Sequence, residues 1–449
     1  MTRNQTTPAL LTDTKMTGHI VIHIAMENAM SSAATTSLDA AKPQSAMPQS
    51  AMPQSASGLR QFLPLAWIAL GTFATGTESF MIAALLPGLA KDLSVTLTAA
   101  GQLVTVFGLT YALSSPALSA LTAGIGRRNL LLMSMAGFAL ANFFASTTTD
   151  FWQLLGARVL LAGAAGLYVP SASALAGAIV APERRGTALA IVNGGTSIAV
   201  ALGVPLGAMV GHTLGWRMTF VGVGIMASIA VAGLFFGIPR GIDKGLSVPS
   251  LRERLAVVRQ IPLLTGFLVT MLWATGAYTV YTYFTPYLTT VTHIDGAHVG
   301  TAFFVWGVSA VIGLFLGGSL SDRFGARAVM IPAFAFLTLA FVALSVIGHT
   351  LSGTSALAPV AAAIVVWGLA AWGFFPAQQS RLMQVAGAKT ASIALSLNAS
   401  FMYLGFSLGA MLGALVVMHA SVATLGLVGA LCEIAAVLIV LATVPSRAT

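Results

Sequence analysis

From Gln61 onward the chain is a series of long apolar segments separated by short polar connectors. A helix needs about 20 apolar residues to cross a bilayer, and each segment is about that long. The predicted helices, numbered 1 to 12, cover residues 62–86, 99–121, 129–147, 152–180, 187–212, 216–238, 263–290, 299–320, 328–349, 356–384, 390–418 and 420–444. The pattern therefore predicts an all-α integral membrane protein with about twelve transmembrane helices.

The composition supports this reading and excludes other classes. The chain is 57% hydrophobic and only 7% charged, whereas about a quarter of the residues of a soluble domain are charged. The single cysteine, Cys432, excludes an intramolecular disulfide and a cysteine-based metal site. The sequence has no nucleotide-binding loop, no histidine pair with metal-ligand spacing and no nucleophile elbow. We expect neither an enzyme nor a bound cofactor or metal.

Two polar segments divide the chain. Residues 1–59 contain the tandem repeat AKPQSAMPQSAMPQS, which is too poor in apolar residues to fold. We interpret them as a disordered cytosolic tail or as the product of an over-long start site. The longest later polar interruption, 239–260, is predicted to be a cytoplasmic linker. It separates an N-terminal bundle of residues 60–238 from a C-terminal bundle of residues 261–446.

The basic residues predict the orientation. With the N-terminus inside, Lys91 and Arg217 fall in outer connectors. The cytoplasmic connectors hold Arg127, Arg128, Arg184, Arg185, Arg240, Lys244, Arg252, Arg254, Arg259, Arg323, Arg327 and Lys389. This positive-inside bias predicts that both termini are cytoplasmic. Because the basic residues are spread over many loops, the net charge of +9 does not indicate a nucleic-acid partner.

The two halves of the chain repeat each other. The stretch LGVPLGAMVG (202–211) aligns without a gap to LGFSLGAMLG (404–413), and SALTAGIGRR (119–128) aligns to GSLSDRFGAR (318–327). Both matches have nearly the same period and occupy equivalent helices. Two six-helix halves related by repetition are typical of a transporter whose site lies near the membrane midplane between the halves.

Glu78 in helix 1 and Arg158 in helix 4 are strong charges deep inside predicted helices. At about 1.5 Å per residue, their depths below the outer helix ends differ by only about 3 Å. A charge at the bilayer centre is costly, so Glu78 should face the bundle interior, where Arg158 can reach it. We predict that Glu78 carries a coupled proton and that Arg158 tunes it. The alternative is a fixed ion pair with a packing role. Glu433 in helix 12 is expected to pair locally or to face lipid headgroups, without a role in transport.

These motifs resemble those of the major facilitator superfamily over the whole chain after the tail. The loop between helices 8 and 9 resembles the family signature G-x-L-A-D-R-x-G-R-K through Gly318, Leu320, Asp322, Arg323, Gly325 and Arg327. Helix 4 resembles the R-x-x-x-G motif through Arg158 and Gly163, although Gly163 lies five rather than four residues after Arg158. APERRGTALA resembles the usual loop between helices 4 and 5. FATGTESFMIAALLPGLA and ALGVPLGAMVG resemble the twelve-helix drug:proton antiporters, in the branch of arabinose or sugar, nucleoside and chloramphenicol exporters.

The resemblance implies roles for the motif residues. Asp322 is expected to form a latch at the N-terminus of a helix in the other half, worth about 0.3–1 kcal/mol, and the alternative is a plain turn with solvated charges. Arg323 and Arg327 are expected to serve topology. Gly203, Gly207 and Gly211 allow close helix approach, Pro205 bends helix 5, and the family uses this motif against proton leak. Generic packing is the alternative. Two departures are Ala123 and Gly124 in the first-half loop, and Val204 between Gly203 and Pro205.

Polar and aromatic residues on the cavity-lining helices are the substrate-site candidates. They are Gln102, Phe107, Tyr111, Asn193, Tyr278, Tyr281, Trp372, Gln378 and Asn398. Each alone could equally serve packing. Because the second-half helices hold no acid in the predicted cavity except Glu433, a neutral, amphiphilic or sugar-like substrate fits better than a polyvalent cation.

Three functions remain open at this point. The first is proton-driven export of drug-like, sugar or nucleoside compounds. The exporter would be a monomer in a bacterial cytoplasmic (inner) membrane. The second is import by proton symport, and the third is a transport-inactive membrane sensor. The helix 5 motif favours export over import, and Glu78 with Arg158 argues against an inactive sensor.

Overall fold

The computed structural model describes residues 58–181, 184–240 and 249–444, so the predicted tail lies outside the described residues except for its last two. The membrane-length helices are α1 (Gly58–Asp92), α2 (Leu97–Leu121), α3 (Arg127–Thr147), α4 (Phe151–Ala178), α5 (Arg185–Leu214), α6 (Trp216–Gly237), α7 (Ile261–Tyr281), α8 (Gly296–Phe324), α9 (Ala326–Thr350), the run Thr354–His419 and α12 (Leu425–Thr443). These elements confirm the all-α membrane fold.

The run Thr354–His419 contains two transmembrane helices. Its 66 residues would extend about 100 Å as one helix, roughly three times the hydrocarbon thickness. The backbone breaks at Gly387, where φ is 69° and ψ is 168°, a conformation that favours glycine. We name the two parts α10 (354–386) and α11 (388–419). The described residues then hold twelve membrane-length helices, the number that the sequence predicts.

Two connections differ from the prediction. The predicted helix 7 ends at Tyr281, and a separate helix, Phe284–Val291, follows. Pro286 explains the break, because it has no N–H to donate to the carbonyl of Thr282. The helix α8 continues to Phe324 and α9 begins at Ala326, so Asp322 and Arg323 lie in the last turn of α8 rather than in a loop. Gly325, with φ of 87°, is the whole connector.

The chain crosses the bundle alternately, so connectors collect at two ends. We call the end that carries Arg127, Arg323 and Lys389 the basic side, and the end that carries Asp92 and His293 the opposite side. The described part of the predicted linker includes a short helix on the basic side, Leu251–Val258. A capping box between Ser250 and Glu253 begins it.

The repeated glycines bring equivalent helices together in the two halves. In the N-terminal half, Gly203 and Gly207 of α5 face Thr77 and Met81 of α1. A Cβ on Gly203 would lie 2.1 Å from Thr77 Oγ1, so a larger residue does not fit without a shift. In the C-terminal half, Gly405, Gly409 and Gly413 of α11 face α7 in the same way. The sequence repeat is therefore also a repeat of helix packing.

The two halves meet at mid-depth and on the opposite side. Tyr281 donates a hydrogen bond to the Phe80 carbonyl (3.1 Å), and Thr285 donates one to the Ala83 carbonyl (3.1 Å). On the other flank, a Cβ on Gly307 of α8 would lie 2.4 Å from the Val200 carbonyl oxygen of α5. These contacts close the opposite side in this conformation.

Candidate functional site

The centre of the candidate site is a fully buried ion pair. Arg158 Nη1 donates to Glu78 Oε1, and neither side chain has any solvent exposure. Arg158 is held by two further contacts: its Nε donates to the Leu103 carbonyl (3.1 Å), and its guanidinium lies 4.1 Å from the Phe107 ring centroid. Glu78 Oε2 and Arg158 Nη2 have no hydrogen-bond partner in the part of the chain that the structure describes. Within that part, three groups hold the arginine, whereas the arginine is the one partner of the carboxylate.

Helix α1 aims consecutive residues at different neighbours. Thr77 faces Gly203 of α5, Glu78 meets Arg158 of α4, and Ser79 accepts a hydrogen bond from the Tyr403 hydroxyl of α11 at 3.4 Å. Because successive residues of a helix point about 100° apart, three adjacent positions can contact three different helices. The ion pair therefore lies directly beside the contact between the two halves.

Aromatic rings from both halves form a cluster next to the pair. We define the aromatic cluster as Phe80, Phe107, Tyr111, Tyr278, Tyr281, Trp372, Tyr403 and Phe406. Phe80 lies at the centre, 6.1–6.2 Å from the rings of Tyr278, Tyr281, Trp372 and Phe406. Tyr278 stacks on Phe406 with centroids 3.7 Å apart. The structure thus brings together five of the nine residues that the sequence suggests for the substrate site.

The other four candidates lie apart from these rings. Gln378 Nε2 donates to the Gly266 carbonyl (2.6 Å) and to Thr270 Oγ1 (3.0 Å), and Thr270 donates to Asn398 Oδ1 (2.7 Å). This hydrogen-bond network joins α10 and α11 to α7 within one half. Gln102 is half-buried on α2 and Asn193 is exposed on α5, and neither side chain bonds to another described residue.

The helix 5 motif contains a local change of helix type. Residues Ala199–Gly203 form a π-helical turn that ends two residues before Pro205. The proline cannot donate to the Ala201 carbonyl and its ring crowds that turn, which accounts for the wider backbone. On one face of α5 the glycines pack on α1, and on another face Pro205 lies beside Gly300 of α8. The motif therefore contacts its own half through the glycines and the other half through Pro205.

The arginine that ends each loop repeat makes the same contact in both halves. Arg327 Nη1 donates to the carbonyl of Val444 at the end of α12. Its counterpart Arg128 donates to the carbonyls of Ile238 (2.6 Å) and Phe235 (2.7 Å) at the end of α6. Cations at helix C-termini are favourable because carbonyls there lack helical partners. Each arginine therefore ties the third helix of a half to its last helix, in addition to any topological role.

The predicted latch is not made in this conformation. Asp322 is exposed and forms no ion pair with the described residues, and Arg323 lies 5.5 Å from the Phe324 ring centroid. The latch stays a prediction for another conformation.

Sequence reasoning missed three residues of the aromatic cluster, Phe80, Tyr403 and Phe406. Phe80 follows Glu78 closely, and Tyr403 and Phe406 are three residues apart in FMYLGF, a spacing that places both on one helix face. That spacing is the sequence signal that could have identified Tyr403 and Phe406.

The expected position of Glu433 was also wrong: its side chain is fully buried and has no ion-pair partner among the described residues.

The chain is similar to known membrane transporters over most of its length. The family model described as Major Facilitator Superfamily matches residues 68–410 and 266–449. The chain is 31% identical over 364 residues to the uncharacterized MFS-type transporter YbcL of Bacillus subtilis, covering 81% of this chain and 91% of that protein. It is 30% identical to the inner membrane transport protein YdhP of Escherichia coli, covering 79% and 88%. It is 33% identical to the chloramphenicol resistance protein of Streptomyces lividans, covering 58% and 64%.

Solved structures share the fold at low sequence identity. A crystal structure of the nucleoside transporter NupG superposes with a TM-score of 0.67 at 13% identity, covering 85% of this chain and all of that chain. The fold, the internal repeat and these matches agree. The chain belongs to the major facilitator superfamily and is a multi-pass membrane transporter.

Proposed function

We propose that this transporter exports small molecules in exchange for protons, by alternating access to a site between its two halves. The observation that carries the proposal is the buried pair of Glu78 and Arg158 beside the aromatic cluster, which both halves build. We place it in the bacterial cytoplasmic membrane with the basic side and both termini cytoplasmic, following the positive-inside bias. The closed opposite side then faces outward.

The pair can change its charge without losing the position of the arginine. When Glu78 takes up a proton, its attraction to Arg158 falls, but the Leu103 carbonyl and the Phe107 ring still hold the guanidinium. The positive charge of Arg158 is then uncompensated inside the membrane, which is costly. A conformation that admits water or a substrate dipole to the arginine would become more favourable. Proton binding at Glu78 is thereby linked to exchange between the two conformations.

The cluster suits a neutral, amphiphilic substrate. Its walls are aromatic rings, and polarity comes from tyrosine hydroxyls, the Trp372 indole and the ion pair. Ligand pockets combine apolar walls with a few placed polar groups in this manner. Relatives named a chloramphenicol resistance protein and a probable sugar efflux transporter support phenicols and sugars as the first compounds to test.

The test uses inverted membrane vesicles with an imposed proton gradient, followed with a pH-sensitive dye. Phenicols, cationic dyes, pentoses and nucleosides are added to the parent protein, to Glu78→Gln and to the control Glu253→Gln. Glu253 is exposed in the short helix on the basic side, so its variant should behave like the parent. We expect at least one phenicol or sugar to collapse the gradient with the parent and the control but not with Glu78→Gln. An active compound that works equally with Glu78→Gln would contradict the role of Glu78.

A further inference from the structure

Glu433 on α12 is a buried acid that the proposed mechanism does not use. Its side chain is 0% exposed, and neither carboxyl oxygen has a hydrogen-bond partner among the described residues. It lies nine residues into a helix of 19 residues, near mid-membrane depth. Buried carboxyls are normally hydrogen-bonded or paired, so this one requires an explanation.

The carboxyl occupies a niche made by a glycine of α7. A Cβ on Gly276 would lie 2.6 Å from Glu433 Oε1, 2.7 Å from the Gly429 carbonyl oxygen and 3.1 Å from Cys432 Cβ. At Gly429, in turn, a Cβ would lie 3.0 Å from the Gly276 carbonyl oxygen. The two glycines let α7 and α12 cross closely, and the acid lies against that crossing.

No charged partner from residues 58–181, 184–240 or 249–444 faces the acid. Cys432 is its neighbour in the chain, and the helices packed on α12 are α7, α9 and the run that holds α10 and α11. Their titratable side chains are Tyr278 and Tyr281, Arg327 and His349, and Arg381, Lys389, Tyr403 and His419. Arg327 donates to Val444 and Arg381 to Thr443 near one end of α12, and His349 bonds to the Ser345 carbonyl near the other. None of these groups bonds to Glu433.

A carboxylate in this niche would be neither solvated nor paired, whereas a neutral carboxylic acid is tolerated much better in an apolar surrounding. We propose that Glu433 is a second proton-binding site of this transporter: it holds a proton while α7 and α12 are in contact and releases it to water when they part. This inference rests on the proposed proton coupling and adds a carboxyl in the other half of the molecule.

The break in α7 links this site to the state of the opposite side. Gly276 lies six residues before Thr282, where α7 gives way to the separate helix Phe284–Val291. Tyr281 and Thr285, on the two sides of the break, donate to carbonyls of α1. Opening the opposite side breaks these bonds and frees α7 to move relative to α12. A proton on Glu433 therefore favours the closed opposite side, and ionised Glu433 favours the open one.

The first test is infrared difference spectroscopy of the full-length protein in lipid nanodiscs. We expect a carbonyl-stretching band of a protonated carboxylic acid at neutral pH that is lost in Glu433→Gln and in the apolar variant Glu433→Leu. Glu78→Gln should retain the band. Glu253→Gln should also retain it, because backbone and side-chain hydrogen bonds from Ser250 hold the pKa of Glu253 below its usual value and keep it ionised. A band of unchanged intensity in both Glu433 variants would overturn the proposal.

The second test follows the conformation directly. Spin labels are placed on Thr149→Cys and Ser352→Cys, exposed positions in the two halves on the opposite side, with Cys432 replaced by alanine. In a Glu78→Gln background, which removes the other proposed proton site, we expect the distance between the labels to lengthen as the pH rises, and this shift to be lost when Glu433→Gln is added. An equal shift with and without Glu433→Gln would overturn the coupling. Neither test needs a substrate, so both stand even if no compound collapses the proton gradient in vesicles.

Discussion

Tyr111 of α2 and Tyr403 of α11 stack with their ring centroids 3.7 Å apart and their planes inclined by 18°. One ring belongs to the N-terminal half and the other to the C-terminal half, so the stack joins the halves at mid-depth. The Tyr403 hydroxyl also donates to Ser79, the residue that follows Glu78. A single side chain of α11 thus contacts another ring of the aromatic cluster and the helix that carries the proposed proton site.

Replacing Tyr403 with alanine should weaken substrate binding. A stacking contact between the Tyr403 ring and a bound substrate would contribute about 0.5–1.5 kcal/mol beyond its buried area, so its loss corresponds to about a two- to thirteenfold rise in the KM of transport. Tyr403→Phe keeps the ring and loses only the long hydrogen bond to Ser79, so its KM should stay near that of the parent. Transport assays with the first active compound of the vesicle panel measure both values. A similar rise in Tyr403→Phe would assign the effect to the hydroxyl instead.

The sequence predicts those features that depend on local pattern. Helix lengths follow from apolar runs, and the repeat follows from glycines spaced to let helices approach. The depth argument for Glu78 and Arg158 uses only helix rise and distance from the helix ends, and the structure places these two side chains in contact. The proton role of the pair remains a prediction, because a contact does not show which group changes its charge.

Other features depend on tertiary packing and escape the sequence pattern. Gln378 and Asn398 resemble cavity residues because they are polar and lie on the expected helices, but Thr270 binds both within one half. Glu433 looks peripheral in the sequence, yet a glycine on another helix gives it a buried niche. The end of α8 at Phe324 reflects the tolerance of charged residues in a last helical turn, which hydropathy alone does not reveal.

Breaking the buried ion pair from the arginine side should destabilise the protein strongly. Arg158→Met leaves a buried carboxylate unpaired, which costs about 3–5 kcal/mol of unfolding free energy. The double variant Glu78→Gln with Arg158→Met should recover part of that loss, because no buried charge remains. Thermal unfolding of the purified variants shows whether the double variant is more stable than Arg158→Met. The exposed pair of Arg217 and Asp92 is the control, and Arg217→Met should cost less than about 1 kcal/mol. Equal losses of unfolding free energy in Arg158→Met and Arg217→Met would contradict the burial of the pair of Glu78 and Arg158.

Two glycines of the same helix should respond oppositely to alanine. A Cβ on Gly203 would lie 2.1 Å from Thr77 Oγ1, so Gly203→Ala must push α5 away from α1 and should cost about 1–3 kcal/mol. At Gly194 a Cβ would meet nothing within 4 Å beyond the adjacent residues and the backbone of its own helix, so Gly194→Ala should stabilise α5 by about 0.5–1 kcal/mol. Thermal unfolding gives the stabilities.

If the helix 5 motif also limits proton leak, Gly203→Ala vesicles should lose an imposed gradient faster without substrate, while Gly194→Ala vesicles keep the parental rate. An unchanged leak in a destabilised Gly203→Ala protein would reduce the motif to a packing role.

Removing arginines on the basic side should lower the stability of the protein by different amounts. Arg327→Met removes the donor to the Val444 carbonyl, and a cation at a helix C-terminus contributes about 0.3–1 kcal/mol, or up to about 2 when partly buried. Arg128→Met should cost at least as much, because Arg128 donates to two carbonyls. Arg323→Met is the matched control: its guanidinium lies near the Phe324 ring, and its loss should change stability by less than about 0.5 kcal/mol.

In thermal unfolding, the Tm of Arg128→Met should therefore be equal to or lower than that of Arg327→Met. The Tm of Arg327→Met should in turn be lower than that of Arg323→Met. All three variants remove one positive charge from the same side of the membrane, so an effect on orientation alone would be similar for each. If Arg323→Met destabilised the protein as much as Arg327→Met, the arginines would act through their charge and not through the ends of α6 and α12.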